Sequence, residues 1–494
     1  MTKYAGGALI PVIPIRHDDS ATITVQLVAA LRRMILSGQL PAGVRLPASR
    51  TLARSQGVSR TTAVNTYEQL AAEGLLRSLV GSGTYVSDTI LPPVPAHEVP
   101  RGEDAVPPRL ATLSRDASDR YYTRLAHPDT PRAFVTGMPA FDVFPMALWS
   151  RLSARHWRGG RSGVMRYPDP CGLMELRRSV SQHMRANRGV TCAPEEVFIF
   201  NGAQDAFNRI ASMLVNPGDP VWFENPGTVG ARNSFIACGA RLVPVPVDAE
   251  GLDVAAGLEA APEYRLAFVT PAHQHPLGNT MSVSRRFELL RAAERTGAWI
   301  IEDDYVGEFH YGSHTPPPLK SMDASGRVVY VGTFSKSIFP ALRLGFVVAP
   351  PRLVEMFERT AAAMLQGAPT GSQAIVADFI DEGHFTTHIR RMREVYAERR
   401  DALIRAADRE LSGMLTVQPT ETGFHTIGDL EVSGLSETVV AGAAGAAGIA
   451  TAPLGRFALS PIDRQGLTLG FSAVPAAQIG RSVAALGRVM RGLV

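Results

Sequence analysis

Lysine is scarce in this chain: of its 50 Lys and Arg residues only Lys3, Lys320 and Lys336 are lysines. An amine that must lose its proton and attack a carbonyl has to be a lysine, because guanidinium keeps its charge throughout the working pH range. Lys336 stands in "GTFSKSIFPALRLG", residues 332–345, with Thr333 and Ser335 just before it and Arg343 close behind. Hydroxyls and a guanidinium at such spacing suit an anion held next to a reactive amine. Three other runs place polar groups where strands end. "NGAQDAFNRI" puts Gly202, Ala203 and Gln204 at the start of a helix, where backbone N–H groups and the helix dipole attract a phosphate. "IIEDDYVGEF" ends an apolar run with Asp303, Asp304 and Tyr305, and "TPAHQHPLGNTMS" ends another with His273 and His275.

These pieces suit one cofactor, pyridoxal 5′-phosphate. Its aldehyde needs a lysine, its phosphate needs hydroxyls, a helix N-terminus and a cation, and its ring nitrogen needs a carboxylate to keep it protonated. The elements that would position them are also legible. The runs "EEVFIF", "PVWFEN", "RLVPVP", "LAFVTP", "AWIIEDDY", "RVVYVGTF" and "RLGFVVAP" alternate with amphipathic segments. That alternation predicts an α/β module over residues 129–494, with its ligand site at the strand ends.

Residues from about 132 onward resemble a fold-type I aminotransferase. "PRAFVTGMPAFDVFPMALWSRL" and "YPDPCGLMELRRSVSQHMRANRGV" are phrases similar to those of the MocR/GabR regulators, which join a GntR-type head to that fold. The resemblance implies that Lys336 forms the Schiff base with pyridoxal phosphate and that Asp303 pairs with the ring nitrogen. It places Tyr305 and His275 beside the ring hydroxyl, and Gly202, Ala203, Gln204, Thr333, Ser335 and Arg343 around the phosphate. It implies a domain-swapped homodimer in which Tyr167 reaches the phosphate of the partner subunit. Three departures stand out. Thr228 replaces an aromatic that stacks on the ring, and His275 replaces an asparagine. In "GLTLGFS", Thr468 stands where aminotransferases carry the arginine that clamps a substrate carboxylate. Arg232, Arg456 and Arg464 are candidate substitute cations.

Ahead of this module lies a smaller one. Ile23, Leu27, Ala30, Leu31, Met34 and Ile35 recur at helical spacing and Gly38 supplies a stop. Ser49 is a candidate cap for "RTLARSQ", and Ser59 caps "RTTAVNTYEQLAAEG" after the turn at Gly57-Val58. Two helices around a short glycine turn, the second carrying Arg60, Thr61, Thr62, Asn65 and Tyr67 in its first turns, fit a helix-turn-helix. "LLRSLVGSGTYV" then predicts two strands around a glycine turn, a wing. The stretch "LPAGVRLPASRTLARSQGVSRTTAVNTYEQLAAEGLLRSLVGSGTYV" resembles the winged helix-turn-helix of the GntR regulators. It implies double-stranded DNA with two half-sites as partner, contacted by Arg50, Ser59, Arg60, Thr61, Thr62, Tyr67 and the wing residues Gly81, Ser82 and Gly83. The wing tip lacks the basic residue common just before the glycine, which predicts a looser grip on the DNA backbone. The chain thus reads as multidomain: a mainly α head over 20–88, a proline-rich linker over 89–128 and the α/β module over 129–494.

Totals agree with this division. A chain of 494 residues is too long for one core, and 45% hydrophobic with 19% charged residues is a globular composition. Residues 1–88 hold nine Lys or Arg against five acids, which is the whole formal surplus of +4 and points to an anionic partner there. Cys171, Cys192 and Cys238 have no metal-type spacing, so no metal is expected and a reducing, cytoplasmic setting is the simplest reading. No run reads as a membrane span or a signal peptide. The function expected is a transcriptional regulator that senses a small amine by exchange at Lys336. Its rival is a working aminotransferase with an appended DNA-binding head, which Thr468 disfavours for ordinary α-amino acids. An amino-sulfonate such as taurine is a candidate effector.

Overall fold

In the head, α1 spans Ile23–Leu36 and buries Leu27, Val28, Leu31 and Ile35, the one-sided stripe that the spacing demands. The computed structural model describes residues 8–16, 18, 20–79, 82–88, 130–158, 162–312, 316–364 and 366–494. These divide into two compact units, one from the residues up to 88 and the other from those beyond 130. The expected linker over 89–128 lies outside the described residues. Among them no helix is long and apolar enough to cross a membrane.

The second helix of the head, α2, covers Ser49–Gln56, and α3 covers Arg60–Ala72. Ser59 caps α3, its hydroxyl accepting from Thr62 N at 3.0 Å. Ser49 does not cap α2. It is the first helical residue, and Ala48 takes the cap conformation without a side-chain bond. Pro47 keeps the residue ahead of it extended, so the helix starts cleanly behind. Tyr67 also departs from expectation. It is turned into the core at 8% exposure, and its hydroxyl donates to the Pro47 carbonyl at 2.9 Å. The reason is the helical period: Ala63, Thr66, Tyr67 and Leu70 are the buried stripe of α3. The wing forms as β1 (Leu76–Leu79) paired antiparallel with β2 (Gly83–Val86). Gly81, expected at its tip, lies outside the described residues.

In the large module every one of the seven β-like runs becomes a strand. They are β3 (Val197–Phe200), β4 (Pro220–Asn225), β5 (Arg241–Asp248), β7 (Leu266–Val269), β8 (Trp299–Asp304), β9 (Val328–Thr333) and β10 (Gly345–Val348), with the short β6 (Gly251–Leu252) at one edge. The sheet order is β3-β10-β9-β8-β7-β4-β5-β6; β10 runs antiparallel to both neighbours, and β9, β8, β7, β4 and β5 are mutually parallel. Strands β4, β7 and β8 are buried almost end to end, as sheets covered on both faces must be. A second, four-stranded antiparallel sheet comprises β11 (Leu415–Val417), β12 (His425–Leu430), β13 (Ala452–Pro453) and β14 (Gly466–Gly470), ordered β11-β12-β14-β13. The long helix His384–Glu410 packs on the C-terminal helix Ala476–Arg491 beside it.

Candidate functional site

Sheet register brings three separate motifs to one place. Gly345, the first residue of β10, is paired on one side with Phe200 of β3 and on the other with Thr333 of β9. Residues 201–204, 333–336 and 343–345 therefore meet. The helix Ala203–Leu214 begins after Gly202 with no side chain capping it, so its first backbone N–H groups face this junction. The Arg343 guanidinium carbon lies 3.7 Å from where a Cβ on Gly202 would sit, and its Nη2 donates to the Asn201 carbonyl at 3.2 Å. Thr333 Oγ1 accepts from Ser335 N at 3.2 Å, holding the two hydroxyl residues together. A helix terminus, a cation and two hydroxyls make an anion cradle. The Gln204 side chain is directed elsewhere, its amide donating to Ser234 Oγ at 2.5 Å, so this residue has its backbone to offer.

Lys336 is one short turn beyond the cradle, in the helix Phe334–Ser337. Its Nζ donates to the Gly137 carbonyl at 2.7 Å. Gly137 has φ +71°, and a Cβ there would fall 2.5 Å from Nζ, so only glycine admits the amine. Asp303 stands on β8, buried, and its Oδ1 has no hydrogen-bond partner. Burial pushes this carboxyl well above the usual range, with the nearby charges of Asp304 and Glu224 adding to the effect and Lys336 opposing it. The neighbouring Asp304 is otherwise engaged: Arg188 forms an ion pair with it and the Tyr330 hydroxyl donates to it at 2.8 Å. Glu224 accepts from Thr270 and Gln274, and Glu302 from the backbone of Leu319 and Lys320. A buried carboxyl with an orphan oxygen, on which the charge of a lysine acts, lacks a donor, which the N–H of a pyridinium ring supplies. The site fits pyridoxal 5′-phosphate on this ground.

Tyr305 donates its hydroxyl to the His273 carbonyl at 3.1 Å, which leaves its oxygen able to accept. His275 lies edge-on to it with ring centres 6.0 Å apart, and His275 Nδ1 has no partner. His425 on β12 completes a ring cluster, 4.7 Å from His273 and 5.2 Å from His275. Burial first, then the charge of neighbouring histidines, pushes His273 and His275 well below the usual range; burial pushes His425 down to about 4. All three imidazoles are neutral at pH 7. Tyr167 is 91% exposed on this chain. A largely apolar cavity of about 510 Å³ opens at Lys336, walled by Phe141, Phe144, Met146, Trp149 and Phe339.

On the head, Arg50, Arg60 and Thr61 are exposed, and Ser82 and Gly83 are exposed at the wing. Thr62 is partly covered and bonds Ser59 through its hydroxyl at 2.8 Å. Arg45 went unnoticed in the sequence. It pairs with Tyr85 of β2, and a Cβ on Gly83 would come 2.9 Å from its Nε. A segment before α2 thereby gives the wing the cation that its own tip lacks. Gly137 and His425 were also missed, since each meets the site only through folding; the nearest signal was the run "GMPAF", whose glycine precedes no recognisable turn.

Residues 147–449 match the family described as Aminotransferase class I and II, and residues 23–86 match Bacterial regulatory proteins, gntR family. The chain is similar to the probable rhizopine catabolism regulatory protein MocR of Rhizobium meliloti, 39% identical over 93% of this chain and 92% of that protein. It is 34% identical to the HTH-type transcriptional regulator TauR of Rhodobacter capsulatus, over 76% and 77% of the two chains. Among solved structures, LysN, the α-aminoadipate aminotransferase of Thermus thermophilus in complex with N-(5′-phosphopyridoxyl)-L-leucine, superposes with a TM-score of 0.68. That match has 28% identity and covers 78% of this chain and 95% of the enzyme.

Proposed function

We propose, for a chain that belongs to the MocR-type GntR regulators and so is a DNA-binding transcriptional regulator with an aminotransferase-like domain, that this domain is an amine sensor. Pyridoxal 5′-phosphate is its cofactor and supplies an aldehyde on an electron-withdrawing ring. With the cofactor bound, Lys336 Nζ would be the group that holds its aldehyde carbon and that an incoming primary amine would displace. Asp303 would accept the ring N–H and keep that proton in place. Tyr305 and His275 would serve the ring hydroxyl. Backbone N–H groups after Gly202, at Ala203 and Gln204, bind the phosphate with Thr333, Ser335 and Arg343, and Tyr167 joins from the partner in a domain-swapped homodimer. Two heads per dimer match an operator of two half-sites, contacted through Arg50, Ser59, Arg60, Thr61, Thr62, Ser82 and Gly83, in the cytoplasm.

The observation that carries the proposal is the orphan Asp303 oxygen, under the influence of the Lys336 charge, in a chain that also displays Arg60 and Thr61 on a capped helix. Sensing requires that amine and DNA be coupled, each changing the affinity for the other. The test is binding of the full-length protein to its own promoter DNA, followed by fluorescence anisotropy while amines are added. The expected result is a shift in operator affinity with wild-type protein and none with Lys336→Ala, whose visible cofactor band is lost while its basal DNA binding stays. An effector response that survives Lys336→Ala would overturn the reading. Turnover is the second reading, favoured by the intact Lys336 and Asp303 pair; repeated conversion of an amine to its keto product is its mark.

A further inference from the structure

Lys336 stands on a very short support. The helix Phe334–Ser337 is a single turn, and the chain leaves it at Ile338, whose φ of −120° and ψ of −87° end the helical path. A helix leaves its last carbonyls without partners of its own, so a turn of four residues depends on outside donors. Its start is tied to the large sheet: Phe334 N donates to the Leu344 carbonyl at 3.0 Å and Ser335 N to Thr333 Oγ1 at 3.2 Å. Its end meets a side chain of the long helix His384–Glu410. His388 Nε2 lies 2.9 Å from the Ser337 carbonyl, in a buried contact between residues 51 apart in the chain.

A carbonyl only accepts, so Nε2 carries the hydrogen and Nδ1 is left as an acceptor. That Nδ1 is buried and has no hydrogen-bond partner. His388 is 6% exposed, and burial pushes it down to about 4, so the ring is neutral at pH 7. A phenylalanine would fill such a site without stranding a nitrogen, and the surroundings are already aromatic, with the rings of Phe144 and Phe379 centred 5.4 and 6.1 Å away. The bond to Ser337 is what an imidazole adds here over a plain ring, against the cost of the orphan nitrogen. Phe144 also walls the cavity at Lys336, so His388 packs behind that wall as well as against the turn. At the far end of the lysine side chain, Nζ is held by the Gly137 carbonyl at 2.7 Å.

Resting on the reading of Lys336 as the amine that joins the cofactor, we propose that His388 is a positioning residue, whose Nε2–H fixes the Ser337 carbonyl and thereby sets where the Lys336 side chain leaves its turn. In the joining step Nζ bonds the aldehyde carbon and the aldehyde oxygen departs as water, and its rate depends on how Nζ approaches that carbon. His388 acts on this step through the backbone. The experiment mixes full-length protein with increasing pyridoxal 5′-phosphate and follows growth of the visible band by stopped flow, which separates the rate at saturation from the half-saturating concentration. His388→Phe keeps a ring and loses the donor; it is expected to slow the saturated rate by about tenfold or more. Its half-saturating concentration, set at the phosphate cradle, is expected to hold. His388→Gln loses the ring and keeps an N–H at the ε position; it is expected to restore the wild-type rate. A wild-type rate in His388→Phe would overturn the proposal by showing the bond to be idle, and equal slowing by both variants would overturn it by making ring packing responsible. Where His388→Phe gives no cooperative urea transition, the glutamine variant decides: a wild-type rate upholds the proposal and a tenfold loss overturns it. If the wild-type protein forms no band that Lys336→Ala abolishes, the cofactor reading falls and this proposal with it.

Discussion

The head and the large module hold their chemistry in different ways. In the head, Arg50, Arg60 and Thr61 lie within one helix-turn-helix run, exposed on elements whose order follows the chain. In the large module Lys336 bonds a carbonyl 199 residues away, and the anion cradle exists only because β10 lies between β3 and β9. A surface reader needs charges displayed on a small rigid support, and neighbouring residues can supply it. A pocket must exclude water on every side, so it has to recruit walls from distant segments.

The sharpest test of this contrast uses the adjacent acids of β8. Asp304→Asn strands Arg188, whose side chain is buried, and is expected to cost about 3–5 kcal/mol in urea denaturation of the large module. Asp303→Asn removes a carboxyl whose Oδ1 has no partner, so the denaturation midpoint is expected to stay or rise while cofactor retention on gel filtration falls. Equal destabilisation by both would break the assignment of separate roles. Next in size are the head's cations. Arg60→Ala is expected to weaken operator binding by about 1–3 kcal/mol, and Arg45→Ala to lower the salt dependence of binding by about one charge; anisotropy at several salt concentrations reads both. Neither should alter the visible cofactor band, and a change there would show that the two regions are less separate than their architecture indicates. Smallest is Tyr67→Phe, expected to cost about 1 kcal/mol of head stability through the lost bond to Pro47. Because the ring is in the core, operator affinity measured well below the melting temperature should hold; a selective loss of DNA binding would return Tyr67 to the interface.

Much of the fold was legible because its signals are local. A run such as "AWIIEDDY" is apolar on both faces whatever surrounds it, and Ser59 caps α3 through a bond three residues long. Tyr67 was misplaced although the period of its own helix contained the answer: a tyrosine three or four residues from Ala63 and Leu70 belongs with them. Strands β11 to β14 gave weaker signals, because β13 is two residues long and β12 and β14 contain glycines. They exist as strands through pairing with one another across long stretches of chain.

By itself the sequence determined which groups are available: one lysine among hydroxyls, a strand ending in two acids, a threonine at 468 and a basic head. Those follow from side-chain chemistry and from periodicity within a single element. Only the tertiary structure decided which of Asp303 and Asp304 is paired with Arg188, that Arg45 serves the wing, that the Gly137 carbonyl meets Lys336, and that His425 packs against His273 and His275. Those outcomes depend on register between strands far apart in the chain, where a shift of one residue would turn each side chain to the opposite face.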